Sequence, residues 1–132
     1  MKHVLVVEDN EWSRELLMRF LQLAGHTFTA VSDGRQAWEL LDSGWKFDLI
    51  MSDYEMSEMN GLELLRHVRW NDRTAEIPFA LMSGAMTISR SDLTPLETVC
   101  HCLDATFVEK PFDYEDVIKQ LLGTEKSKYD DS

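Results

Sequence analysis

Long apolar runs are missing from this sequence of 132 residues. A membrane-spanning helix needs about 20 consecutive apolar residues, and a signal peptide needs an apolar run of about 7–15. The run near the start, Val4 to Val7, is too short for either, and no long one follows. We therefore expect a cytoplasmic protein that has no membrane partner.

Cysteine is also scarce. The two cysteines, Cys100 and Cys102, lie in a segment that we expect to be helical, where residues two apart do not face each other. This spacing argues against a disulfide between them. The fragment around His101 also lacks the longer spacing and the second ligand pair of most zinc sites. We expect two reduced, partly buried thiols.

Positive charge is in short supply as well. Only 13 Lys and Arg stand against 24 Asp and Glu, which gives a net charge of −11 and argues against binding to a nucleic acid backbone. The length suits one domain with a hydrophobic core. We expect this domain to cover residues 1–123, with a polar, frayed tail over 124–132 and no separate output domain.

What the sequence does contain is an alternation of strand and helix patterns. The predicted strands cover residues 3–7, 27–31, 47–51, 77–82 and 106–109. The predicted helices cover residues 11–24, 34–43 and 95–102, with two more that begin after the caps Asn60 and Asp113. This order predicts an α/β fold in which a parallel sheet carries helices on both faces.

The helices have recognisable starts and apolar faces. Asp33 with Gln36, and Asn60 with Glu63, predict capping boxes, in which the two side chains each accept a hydrogen bond from the other's backbone. In the first helix, apolar residues recur at three- and four-residue spacing from Trp12 onward. We interpret this stripe as core packing.

Asp53 stands at the end of the central predicted strand. Alone, an Asp after a strand is most often a turn former or a helix cap. Other predicted strands, however, also end in polar residues, namely Glu8 with Asp9, Ser83 and Lys110. Parallel strands bring these ends to one edge of the sheet, where clustered carboxylates favour a hard cation such as Mg²⁺. With the cation and Lys110 to balance charge, Asp53 can attack a phosphoryl group.

Taken together, these residues resemble a response-regulator receiver domain, the phosphoacceptor module of two-component signalling. The matching fragments are Val6 to Asp9, Asp53 with Met56, Asn60 to Glu63, Ser83, and Lys110 to Phe112. The resemblance implies a flavodoxin-like fold with strand order 2-1-3-4-5 and five helices.

The resemblance also implies a role for each site residue. Glu8, Asp9, Asp53 and the backbone carbonyl of Glu55 would hold Mg²⁺, and Lys110 would contact the phosphoryl group on Asp53.

The remaining implied roles concern the signal. Ser83 and Phe107 would form the switch, while Glu55 and Ala85 would tune hydrolysis of the aspartyl phosphate. The implied partners are a histidine kinase or histidine phosphotransfer protein and a downstream protein. A homodimer through the fourth helix, fifth strand and fifth helix is a further option. Such a protein assists its own phosphorylation and dephosphorylation without being an enzyme in the usual sense.

Three alternatives stay open from the residues. A Mg²⁺-dependent phosphatase with an Asp nucleophile would look for a second Asp two positions later, where Glu55 stands. A flavin-binding protein of similar fold would need a hydroxyl- and glycine-rich loop after the first strand, where Glu8 and Asp9 would repel phosphate. A receiver that binds partners without phosphorylation would not need the intact set of acids.

Overall fold

The computed structural model describes residues 1–84 and 95–123. Five parallel strands form one sheet in the order β2-β1-β3-β4-β5, which confirms the predicted fold class. The strands are β1 (His3–Val7), β2 (Thr27–Val31), β3 (Leu49–Asp53), β4 (Phe79–Gly84) and β5 (Thr106–Lys110). The helices between and after them are α1 (Glu11–Leu23), α2 (Gly34–Asp42), α3 (Gly61–Arg69), α4 (Leu96–Cys102) and α5 (Tyr114–Leu122). The predicted tail, residues 124–132, lies outside the described residues.

The sheet separates two hydrophobic clusters. Successive residues of a strand point to opposite faces, so Leu5 and Val7 of β1 enter one cluster while Val4 and Val6 enter the other. The first cluster receives residues of α2, α3 and α4, and the second receives residues of α1 and α5. The central strands are therefore covered on both faces, and only their ends reach solvent.

Of the two predicted capping boxes, the structure contains one. Asn60 and Glu63 form the predicted capping box at α3. At α2, Asp33 accepts a hydrogen bond from the Gln36 backbone N–H, but the Gln36 side chain accepts from Ser32 instead of from Asp33. The predicted capping box at α2 is therefore wrong, because Ser32 offers two nearby donors.

Three further predictions are wrong in detail. Trp12 and Leu23 of α1 are 72% and 76% exposed, so the ends of the apolar stripe lie outside the core. In β4, Ser83 and Gly84 continue the strand past its predicted end at residue 82, although serine and glycine are common in turns, because they pair with Glu109 and Lys110 of β5. Pro95 is the N-cap of α4 and not its first helical residue.

In the described part of the chain, every helix is too short or too polar to cross a membrane.

Arg69, in the last turn of α3, joins distant backbone segments at the amino end of the sheet. Its guanidinium donates hydrogen bonds to the carbonyls of Leu103, Ala75, Ile77 and Asp104, at 2.7, 3.1, 2.7 and 3.1 Å. Burial lowers the pKa of Arg69. One side chain thus ties α3 to the segments that lead into β4 and β5.

Replacing Arg69 with Lys should lower the free energy of unfolding by about 2–3 kcal/mol. Lysine keeps the charge but cannot present the planar set of donors that reaches four carbonyls, and the partly buried carbonyls of Leu103, Ala75 and Ile77 would lose a donor. Chemical denaturation measures the loss. Arg35→Lys is the control, since the Arg35 side chain is exposed and forms an ion pair with Glu39 on its own helix. Equal stability of the two variants would contradict this role for Arg69.

Candidate functional site

The carboxyl ends of the strands bring the candidate residues to one edge of the sheet. Asp53 is the last residue of β3 and Lys110 is the last residue of β5, while Glu8 directly follows β1. β3 lies between β1 and β4, and β4 lies next to β5. Asp53 therefore lies in the middle of the edge, with acids on one side and Lys110 on the other.

Lys110 forms the closest contact of the site. Its Nζ atom donates a hydrogen bond of 2.6 Å to Asp53 Oδ1 and lies 3.6 Å from Glu8 Oε2. The side chains of Glu8 and Asp53 are only 4% and 11% exposed, whereas that of Lys110 is 36% exposed. One partly exposed cation thus faces two buried carboxylates.

The loop after β1 fixes the second carboxylate. The Glu8 side chain accepts a hydrogen bond from the Asn10 backbone N–H, and the Glu8 carbonyl accepts one from the Arg14 guanidinium of α1. Asn10 also caps α1, where its side chain accepts from the Ser13 backbone N–H. The start of α1 therefore holds Glu8 from both its side chain and its backbone.

The charges of the site are not balanced by the protein alone. Burial raises the pKa of Glu8, and the nearby charge of Asp53 raises it further. Burial also raises the pKa of Asp53, although the hydrogen bond from Lys110 opposes this effect. Burial by itself would lower the pKa of Lys110, but its hydrogen bond and charge interaction with Asp53, together with Glu8, raise it. A further positive charge nearby would stabilise the ionised forms of both carboxylates.

Three carboxylates converge at this point. Oxygen atoms of Glu8, Asp9 and Asp53 all lie within 4.8 Å of one another. Asp9 also lines a hollow of about 250 Å³ together with Tyr54, Glu55, Met56 and Asn60. An all-oxygen donor set beside an open hollow has the chemistry that Mg²⁺ and Ca²⁺ prefer. The residues present therefore fit a hard divalent cation.

The other predicted residues lie around this centre. Glu55 is exposed on the loop after β3, and Ser83 is buried near the end of β4. Phe107 of β5 is half-buried against the first hydrophobic cluster and pairs in register with Leu81. Ala85 lies outside the described residues, so its place relative to Ser83 is not described.

Two residues near the site were missed by the sequence reasoning, Arg14 and Tyr114. Tyr114 stacks on Phe20 of α1 at 5.5 Å between ring centroids and packs on Phe112 at 4.8 Å. Burial raises the pKa of the Tyr114 phenol, while the Lys110 charge and a hydrogen bond with Ser13 lower it. Arg14 lies in the first turn of α1, which follows β1, and Tyr114 lies in the first turn of α5, which follows β5. A position in the first turn after a strand that leads into the site was the sequence signal that could have identified them.

The fold and this acid-lined edge define the class of flavodoxin-like domains that carry a carboxylate at the end of the third strand. The sequence model of the response regulator receiver domain matches residues 4–122. This match covers most of the chain, which therefore belongs to the response regulator receiver domain family of two-component signalling.

Individual relatives agree with this assignment. The chain is 35% identical over 118 residues to the two-component response regulator ORR5 of Oryza sativa, covering 87% of this chain and 82% of that protein. It is 30% identical to the response regulator receiver protein CpdR of Brucella abortus, covering 92% and 94%. The chemotaxis protein CheY4 of Vibrio cholerae has a similar structure, with a TM-score of 0.76 at 29% identity and coverage of 92% and 96%.

Proposed function

We propose that residues 1–123 form a receiver that accepts a phosphoryl group on Asp53 from a phosphohistidine donor. The donor would belong to a histidine kinase or a histidine phosphotransfer protein. The observation that carries the proposal is the hydrogen bond of 2.6 Å from Lys110 to Asp53, which stands among acids that fit a divalent cation. Incubation with acetyl phosphate and Mg²⁺, followed by intact-protein mass measurement, tests whether the chain gains one phosphoryl group.

The chemistry is a transfer between two nucleophiles. A carboxylate oxygen of Asp53 attacks phosphorus and forms a P–O bond while the P–N bond of the donor breaks. The electron pair of that bond returns to the imidazole, which leaves neutral when its other nitrogen carries the proton. Most of the work is positioning and charge balance, because phosphoryl transfer asks for little other covalent chemistry.

The residues that would hold Mg²⁺ are Glu8, Asp9 and Asp53, together with the backbone carbonyl of Glu55. When bound, Mg²⁺ would supply the positive charge that lets a phosphoryl group approach three carboxylates. The buried position of Glu8 and Asp53 keeps this interaction strong by limiting the screening from water.

Lys110 would contribute both before and after the phosphoryl transfer. In the structure its ammonium group donates a hydrogen bond to Asp53 and lies near Glu8. After transfer, the same ammonium can donate to an oxygen of the phosphoryl group, since a charge-assisted hydrogen bond to phosphate is strong. Its partial exposure leaves room for that shift.

The output would start at Ser83. A phosphoryl oxygen on Asp53 can accept a hydrogen bond from the Ser83 hydroxyl, and Phe107 would respond by repacking. The surface of α4, β5 and α5 would then bind a downstream protein or a second copy of the chain. Glu55 flanks the solvent side of the site and would influence hydrolysis of the aspartyl phosphate, a role that we also propose for Ala85.

Mg²⁺ should stabilise the fold, and more so near pH 7 than near pH 4. The folded pKa values of Glu8 and Asp53 are raised, so these groups contribute their full stability below their unfolded pKa values near 4 and lose it as the pH rises through the folded values. A bound cation compensates for this loss. With Mg²⁺ at ten to a hundred times its Kd, we expect a gain of about 1–3 kcal/mol.

Thermal melts at several pH values, with and without Mg²⁺, measure this effect. Asp9→Asn is the matched variant, because it removes one repelling charge and one ligand. Its metal-free melting temperature should rise, and its gain from Mg²⁺ should shrink. If millimolar Mg²⁺ leaves the melting temperature of the wild-type protein at pH 7 unchanged, the metal site is contradicted.

A second reading is a receiver that binds partners without phosphorylation. The exposed Trp12 and Leu23 on α1 favour a role for this helix in protein contacts, and such contacts do not require phosphate. The phosphorylation assay separates the two readings.

A further inference from the structure

The loop between β3 and α3, residues 54–60, is closed tightly at its base. The Gly61 N–H donates to the Tyr54 carbonyl at 2.8 Å, and the Tyr54 N–H donates to the Met82 carbonyl of β4 at 2.9 Å. A Cβ atom on Gly61 would lie 2.3 Å from the Asp53 carbonyl oxygen. The two ends of this loop therefore cannot move apart or shift along the sheet without breaking these contacts.

The outer part of the same loop rests on the start of α2. The Arg35 N–H donates to the Glu58 carbonyl at 3.3 Å. A Cβ atom on Gly34 would lie 2.3 Å from the Met59 carbonyl oxygen and 3.2 Å from the Met59 Cβ atom. Met59 itself has a φ of 60°, a left-handed conformation that few residues other than glycine adopt readily. The loop thus contacts Gly34 through Met59, and Met59 adopts a backbone conformation that methionine does not favour.

Gly34 is required here for space and not for its backbone angles. The two nearest atoms that a Cβ would meet are the carbonyl oxygen and carbon of Met59, which belong to the backbone, so a larger side chain cannot be accommodated by rotating a neighbouring side chain. Because the base of the loop is fixed at Tyr54 and Gly61, a displacement at Met59 must be taken up by the residues between, which include Glu55. Asp9, Tyr54 and Glu55 line the hollow beside the acid cluster.

We propose that Gly34 is a positioning residue for the metal site, since it lets the loop settle on α2 and so sets where the Glu55 backbone lies. This inference rests on the proposed function, in which the Glu55 carbonyl is a ligand of Mg²⁺. It adds that α2, which contributes no side chain to the acid cluster, controls the affinity of that cluster for the cation.

The test compares Gly34→Ala with Gly44→Ala. Gly44 has a φ of +101° and open space around its missing Cβ, so alanine there strains the backbone without touching the loop. Both variants should lose stability in the absence of metal. Titration calorimetry with Mg²⁺ should show binding weakened tenfold or more in Gly34→Ala and unchanged within twofold in Gly44→Ala. NMR signals of residues 55–58 should shift only in Gly34→Ala.

A second pair of variants applies if Gly34→Ala does not fold. Arg35→Pro removes the N–H that donates to Glu58, at a position in the first helical turn that tolerates proline. Arg35→Ala keeps this N–H and removes only the side chain. We expect weaker Mg²⁺ binding in Arg35→Pro than in Arg35→Ala.

The outcomes separate the two levels of the proposal. Wild-type protein that fails to bind Mg²⁺ would remove the proposed metal site and this inference with it. Wild-type protein that binds, with Gly34→Ala binding as tightly as Gly44→Ala, would leave the site intact and overturn the role of Gly34. If Gly34→Ala does not fold, equal binding by the two Arg35 variants would overturn it in the same way.

Discussion

Asp53→Asn should reduce phosphoryl uptake to the background of the assay. Asparagine has nearly the same size and can still accept the hydrogen bond from Lys110, but its amide oxygen is a far weaker nucleophile than a carboxylate. Glu8 remains as the charge partner of Lys110, so the fold should survive. Incubation with acetyl phosphate and Mg²⁺, followed by mass measurement of the intact protein, gives the result directly.

The control for this experiment is Asp42→Asn. Asp42 is an exposed acid at the end of α2 that pairs with Arg73, and its loss should leave uptake unchanged. Undiminished labelling of Asp53→Asn would mean that another residue accepts the phosphoryl group. Wild-type protein that binds Mg²⁺ and yet gains no phosphoryl group, from acetyl phosphate or from a phosphohistidine donor, would instead favour the phosphorylation-independent reading.

Ser83→Ala should keep most phosphoryl uptake but lose the changes that phosphorylation causes in NMR signals of residues 95–122. Ser83 stands two positions after Leu81, which pairs in register with Phe107 on β5. Residues two apart on a strand share a face of the sheet, so Ser83 and Phe107 lie toward the same hydrophobic cluster. Movement of the Ser83 hydroxyl toward the phosphoryl group would open space that Phe107 can fill.

Two variants complete this test. Phe107→Ala should also lose the distant changes, because it removes the group that repacks. Ser43→Ala removes a hydroxyl that donates to the Leu40 carbonyl at the end of α2, and it should keep them all. If the NMR changes persist in full in both Ser83→Ala and Phe107→Ala, the signal leaves the site by another route.

Sequence periodicity predicted the α/β class with a parallel sheet, because the strands and helices have local signals and alternate along the chain. The strand order 2-1-3-4-5 was implied by the resemblance to receiver domains, and the structure confirms it. The errors arose where tertiary contacts decide. Trp12 matches a helical stripe, but the stripe extends beyond the surface that the sheet covers. Ser83 and Gly84 resemble a turn, but pairing with β5 keeps them extended.

For the candidate site, the sequence predicted which residues meet at one edge of the sheet but not how their side chains contact one another. The ends of parallel strands must meet, so the common edge of Glu8, Asp53 and Lys110 followed from the predicted order of elements. The contact between Lys110 and Asp53 did not, because it depends on side-chain conformations across 57 positions of sequence. The support of the loop by Gly34 was also hidden, since the sequence around it indicates only a helix start.

The four carbonyls held by Arg69 have a consequence for how α4 can move. Leu103 and Asp104 follow directly after α4, so this helix is anchored at its C-terminal end, at the edge of the sheet opposite to Asp53. When a rigid helix is fixed at one end and tilts, the largest displacement occurs at its other end. With seven residues, α4 is about 10 Å long, and a tilt of about 10° would displace its first turn by about 2 Å while its last turn stays in place. Partners that sense phosphorylation through α4 should therefore contact the end that begins at Leu96.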